Sequence, residues 1–101
     1  MAARRSPDAR RRAAVTGPDP LQDQLALGRA LRGLRERAGI TQEQLAARLA
    51  IDPTYVSQVE RGRRGVRWHT VLRFLRALEA TLGDLATEIE THDGSSRSRQ
   101  S

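Results

Sequence analysis

Residues 41–62 read TQEQLAARLAIDPTYVSQVERG, and this stretch decides the fold. It describes two short helices joined by a tight turn. Leu45, Ala46 and Leu49 share one side of the first helix, at the i, i+1, i+4 spacing of a narrow apolar stripe. Val56 and Val59 do the same on the second. Each helix carries a start signal. Thr41 with Gln44 three residues later is a capping-box pattern, in which each side chain satisfies a free backbone N–H. Asp52-Pro53 sets an N-cap carboxylate before a proline at the first helical position, where a missing N–H costs nothing. Gly62 supplies the stop. At about 100° per residue, Thr54, Ser57, Gln58 and Arg61 fall opposite the valines. Such a stripe suits the base edges of a major groove, although an ordinary solvated helix face has the same composition.

Working outward, Leu27, Leu31, Leu34 and Ala38 step along one face of a preceding helix. Asp19-Pro20 and Gln22 predict its start, and it runs to about Arg37, with Gly39 ending it. Gly28 and Gly33 lie inside it, each at a cost of ~1 kcal/mol against alanine. After Gly62 comes the basic loop GRRGVR, residues 62–67, which lacks the Lys-Ser/Thr pair of a nucleotide-binding P-loop. Trp68 to Ala80 is a fourth helix, with Trp68, Val71, Leu72, Leu75 and Leu78 as its apolar face, Phe74 beside it, and Trp68 taken for core. Thr81 and Asp84 open a fifth helix to about Glu90, with Leu82, Leu85, Ala86 and Ile89 inward. No segment alternates with period two, so the expected class is all-α. Residues 1–18 read as a disordered basic arm, 19–90 as one domain and 91–101 as a low-complexity, disordered polar tail.

The chain has 101 residues, room for one small domain. It has no cysteine, which excludes disulfides, zinc–thiolate sites and cysteine nucleophiles. His69 and His92 have no cysteine partners, no nucleophile–base pair stands out, and neither a metal, a cofactor nor an enzyme is expected. No apolar run approaches the ~20 residues of a membrane span, and no apolar segment follows the N-terminal arginines, so a cytoplasmic protein is expected. The net charge is +6, and all 18 basic residues are arginine. Genomic base composition can produce that pattern; so can a polyanionic partner. Residues 1–20 hold five Arg and two Asp, while residues 21–90 hold eleven Arg and nine acids. Half of the excess therefore sits in the N-terminal arm.

TQEQLA, Ile51 and YVSQVERG, with LGRALRGLRERAG before them and VLRFLRALEATLGDL after, resemble the helix-turn-helix of the Cro and phage-repressor family. The resemblance spans roughly residues 21–90. It implies a compact five-helix bundle of the phage-repressor DNA-binding type, and a sequence-specific transcriptional regulator that binds double-stranded DNA as a homodimer through its C-terminal helices. Carried over by position, Pro53, Thr54, Ser57 and Gln58 would meet bases, with Gln58 the best candidate because a carboxamide can pair both edge groups of adenine. Gln42, Arg61, Arg63 and Arg64 would meet phosphates. Glu60 would pair with Arg35 as a structural salt bridge. Tyr55, between the faces, is read as half-core packing rather than a base contact, and Leu27-Gly28, a pair common in the family, makes Gly28 a close-packing position rather than a ligand site. The family usually has glycine where this chain has Ala50, a Ser or Thr cap where it has Arg67, and often glycine at Glu79. The first leaves either an altered turn or stored strain, the second a frayed helix start, and the third a less sharp helix end. Antitoxins and restriction controllers share this fold and are alternatives, as is a protein-interaction adaptor of the multiprotein-bridging coactivator kind.

Overall fold

The computed structural model describes residues 20–100, and side chains within 21–92. The expected arm and the Asp19 cap lie outside the described residues. Five helices follow in order: α1 Pro20–Ala38, α2 Gln42–Leu49, α3 Pro53–Glu60, α4 Trp68–Ala77 and α5 Leu82–Gln100. There is no strand among the described residues.

The local start signals act as physical caps. The Thr41 hydroxyl accepts from Gln44 N–H at 3.0 Å, and Thr41 N–H donates to Gln44 Oε1 at 2.8 Å. Thr81 and Asp84 make the same reciprocal pair, each bond 2.9 Å, before α5. Asp52 Oδ1 accepts from Thr54 N–H at 2.7 Å at the head of α3. That bond, followed by one to the Thr54 side chain, holds the Asp52 carboxyl below its ordinary value. Arg67 makes no side-chain cap for α4.

Two stops occur at non-glycine residues. Ala50 takes the left-handed region at φ 58°, while Ile51 N–H donates to Ala46 O at 3.0 Å. The turn therefore keeps its shape and stores strain in an alanine. Glu79 sits at φ 54°, with Ala80 N–H donating to Leu75 O at 2.8 Å. So α4 ends sharply, contrary to expectation, because a glutamate accepts the conformation that glycine adopts freely.

The core gathers Leu31 and Leu34 of α1, Leu45 and Leu49 of α2, Val56 and Val59 of α3, Val71, Phe74 and Leu75 of α4, and Leu85 of α5. Trp68 is 61% exposed and Phe74 fully buried, which reverses their expected order. Trp68 begins α4, one turn before the first buried residue, Val71, and so lies beyond the edge of the core. Ala38, in the last turn of α1, is exposed. Arginines lock the ends of α2 and α4 to each other. Arg73 Nη2 donates to Leu49 O and Arg48 Nη1 to Ala77 O, each at 2.8 Å. Both satisfy carbonyls at helix C-termini, where a cation also meets the favourable end of the dipole.

Helix α5 packs along α1 with part of the expected face, Ile89 lying against the core beside Leu85. Leu85 and Glu88 are buried, whereas Leu82 and Ala86 are exposed. Glu88 is held by Arg37, and His92 Nε2 lies 3.2 Å from its Oε1. Gly33 makes room for it: a Cβ there would meet Glu88 Oε1 at 2.3 Å. The helix continues to Gln100, beyond the expected end near Glu90 and through residues read as a polar tail.

Candidate nucleic-acid interface

Helices α2 and α3 are held at their angle by a buried polar knot. Arg35 of α1 donates to Glu60 of α3 through Nε at 2.6 Å and Nη2 at 3.0 Å. Its Nη1 donates to Ile40 O at 2.8 Å, just before α2. Gln42 Nε2 donates to Glu60 Oε1 at 2.9 Å. The Glu60 side chain is 2% exposed and that of Arg35 11%. The Glu60 hydrogen bond, outweighing desolvation, raises the Arg35 pKa above its ordinary value. Three elements thus converge on one carboxylate.

Close backbone contact holds α1 against the same end of α3. A Cβ on Gly28 would lie 2.3 Å from Val59 O and 2.7 Å from Glu60 O. Only glycine lets α1 lie this near the end of α3, and this is the packing role read for it.

With Val56, Val59 and Glu60 buried, α3 turns its other side outward. Pro53 and Thr54 are exposed, and Ser57 and Gln58 are half-buried along the same side. Gly62, at φ 73°, then reverses the chain. Arg61 and Arg63 are exposed and, with Arg29, Arg32 and Gln42, line a cleft over the Arg35–Glu60 pair. Arg32 is also paired with Glu36 at 3.0 Å.

Arg64 departs from the other arginines. It folds back over α3, with its guanidinium carbon 4.7 Å from the Tyr55 ring centroid. Its Nη1 donates to Gln58 Oε1 at 3.1 Å. Tyr55 is half-buried and packs against the core, leaving a ring face for that contact. The structure therefore groups Pro53, Thr54, Ser57 and Gln58 on one face. It sets Gln42, Arg61 and Arg63 around the cleft, and draws Arg64 onto the face itself. Arg29 and Arg32 join the cleft from the polar side of α1, where a spacing of three is their one signal in the sequence.

Two short helices at a tight turn, the second showing a polar stripe and the first helix buttressing both, have the geometry of a helix-turn-helix protein. The model of the helix-turn-helix domain family matches residues 26–88, and the chain belongs to that family. The control protein C.MunI of a Mycoplasma species is 34% identical over 67 residues, which is 65% of this chain and 90% of that protein. The clp gene regulator ClgR of Corynebacterium glutamicum superposes with a TM-score of 0.64 at 34% identity, covering 73% of this chain and 91% of that one. The restriction-modification controller C.Esp1396I, solved as a tetramer with its natural 35 base-pair operator, has a TM-score of 0.59 at 27% identity, covering 65% of this chain and 92% of that one.

Among the described residues no three His, Asp or Glu side chains form a metal-binding group. No described helix is long and apolar enough to cross a membrane.

Proposed function

We propose that the chain is a cytoplasmic, non-catalytic, sequence-specific DNA-binding transcriptional regulator that acts as a homodimer. The observation that carries this reading is the outward stripe of α3, which has hydrogen-bonding groups, no acid, and free-standing arginines beside it. Inserted in a major groove, α3 would bring Pro53, Thr54, Ser57 and Gln58 to base edges. Pro53 has no side-chain donor and offers apolar contact, for instance to a thymine methyl. Arg61 and Arg63 would meet the backbone, with Arg29 extending the contact along α1; such contacts position the protein without choosing sequence. Gln42 Nε2 gives one N–H to Glu60, which holds α2 in place and leaves the second N–H for a phosphate at the head of α2.

Selection of duplexes from a random pool by the full chain tests this reading. A shared motif in two half-sites about one helical turn apart is expected. Recovery of no motif, together with salt-independent capture of a protein partner, would favour the adaptor reading. Similarity to the restriction-modification controller C.Esp1396I favours a restriction-controller role within the same class. Mapping bound sites in cells decides that point: sites upstream of restriction–modification genes support it, and sites elsewhere support a general regulator.

A further inference from the structure

The contact between Arg64 and Gln58 bears on which base the proposed recognition helix reads, and it rests on the reading of α3 given above. A glutamine amide has two ends. Its oxygen accepts and its nitrogen donates twice, and the best adenine pairing uses both. Free rotation would let Gln58 present either end to a base. Arg64 removes that freedom, because a guanidinium carries donors and no acceptor, so only the amide oxygen can face it. The observed bond runs from Arg64 Nη1 to Gln58 Oε1 at 3.1 Å.

The position of Arg64 is itself prepared by the fold. Gly62 N–H donates to Val59 O at 3.0 Å and Arg63 N–H to Gln58 O at 2.9 Å, so the chain turns back directly over the end of α3. The guanidinium then settles on the Tyr55 ring, 4.7 Å from its centroid. Tyr55 lies three residues before Gln58 on the same helix and is anchored on the core. The platform, the cation and the amide form a short chain whose free end is the Gln58 NH2 group.

We propose that Arg64, stacked on Tyr55, is a positioning residue that fixes Gln58 as a donor and so directs it to guanine rather than adenine. Guanine presents two acceptors, N7 and O6, to the two N–H bonds. Adenine offers one acceptor and a donor whose partner, the amide oxygen, is turned toward Arg64 with one lone pair already taken, and cytosine offers only a donor. Thymine, with one acceptor, ranks between them. Arg64 thereby acts on sequence choice without touching a base, a role distinct from phosphate contact.

Duplex selection with the full chain and its variants tests the assignment. The wild-type protein should enrich guanine at one position in each half-site. Gln58→Ala should abolish preference at that position alone and so identify it. Arg64→Ala, which frees the amide to turn, should move the preference there from guanine to adenine by about fivefold or more, the scale of one bidentate pair. Tyr55→Leu, which removes the platform and keeps an apolar side chain, should shift it in the same direction. It carries the test if Arg64→Ala binds too weakly for selection. A guanine preference unchanged in both variants, with affinity lost equally on every sequence, would overturn the proposal and leave Arg64 a phosphate contact. Adenine preference in the wild-type protein would also overturn it. If Gln58→Ala changes no position, the base-reading role of Gln58 falls first, and this proposal with it.

Discussion

At the residue scale, the structure concentrates its stakes in a few side chains and backbone angles. Glu60 is the clearest case: three donors converge on it, and Arg35 is buried against it. Truncation in Glu60→Ala would leave a buried guanidinium unpaired, and should destabilise the domain by about 3–5 kcal/mol in a denaturant melt. A loss under ~1 kcal/mol would mean that the pair behaves as a surface contact. Gly28→Ala runs against helix propensity: alanine favours the helix by ~1 kcal/mol, yet its Cβ meets immovable α3 backbone, so a net loss of roughly 1–3 kcal/mol is expected in the same measurement. Ala50→Gly should do the reverse. Relief of the strain at φ 58°, less the entropy of a freer unfolded chain, should raise stability by roughly 0.5–1 kcal/mol. Asp52 gives a pH signature. Its carboxyl titrates below its ordinary value of 3.8 in the folded state, so its stabilisation is complete above that value and lost as pH falls through the lower, folded one. Thermal melts should show this acid-side loss in the wild-type protein and a shallower one in Asp52→Asn, which keeps a capping oxygen but cannot titrate.

At the element scale, the helix starts were legible because caps are local chemistry. Thr41 with Gln44, Asp52 with Pro53 and Thr81 with Asp84 each need only their own neighbours, and each cap forms. The inward valines of α3 were legible for a similar reason: a short helix with two apolar residues has one way to face. Helix α4 was less legible. It carries apolar residues around more than half its circumference, so its own pattern could not decide between Trp68 and Phe74. Its packing against α2 decided it, with the Arg48 and Arg73 clamps as a long-range feature that no local spacing records. Helix α5 was half legible, in Leu85 and Ile89, because its buried face also includes Glu88, a residue that patterning assigns to solvent. The space for Glu88 comes from Gly33 on another helix. Among the candidate site residues, the stripe on α3 followed from periodicity. The return of Arg64 onto it depends on the reversal after Gly62 and on the Tyr55 ring face, which only three dimensions show.

At the scale of the whole molecule, two features bear on assembly and binding. Leu82 is 49% exposed and Ala86 lies exposed on the same helix, although both are apolar. We propose the C-terminal helices as the homodimer contact, so Leu82→Asp should shift sedimentation toward monomer; a wild-type protein that is monomeric at high concentration, free and on DNA, would contradict this. The cleft of Arg29, Arg32, Arg61 and Arg63 lies beside the outward face of α3 rather than behind it, so one duplex could meet both. That arrangement separates affinity from specificity, and their separation is the central claim. The direct test titrates wild-type protein, Gln58→Ala and Arg63→Ala against a selected duplex and a random one across a salt series. Arg63→Ala should weaken both duplexes alike and flatten the salt dependence by about one unit of slope. Gln58→Ala should lose ~1–3 kcal/mol on the selected duplex and little on the random one. Equal losses from Gln58→Ala on both duplexes, or no loss from either variant, would contradict the placement of DNA on this face.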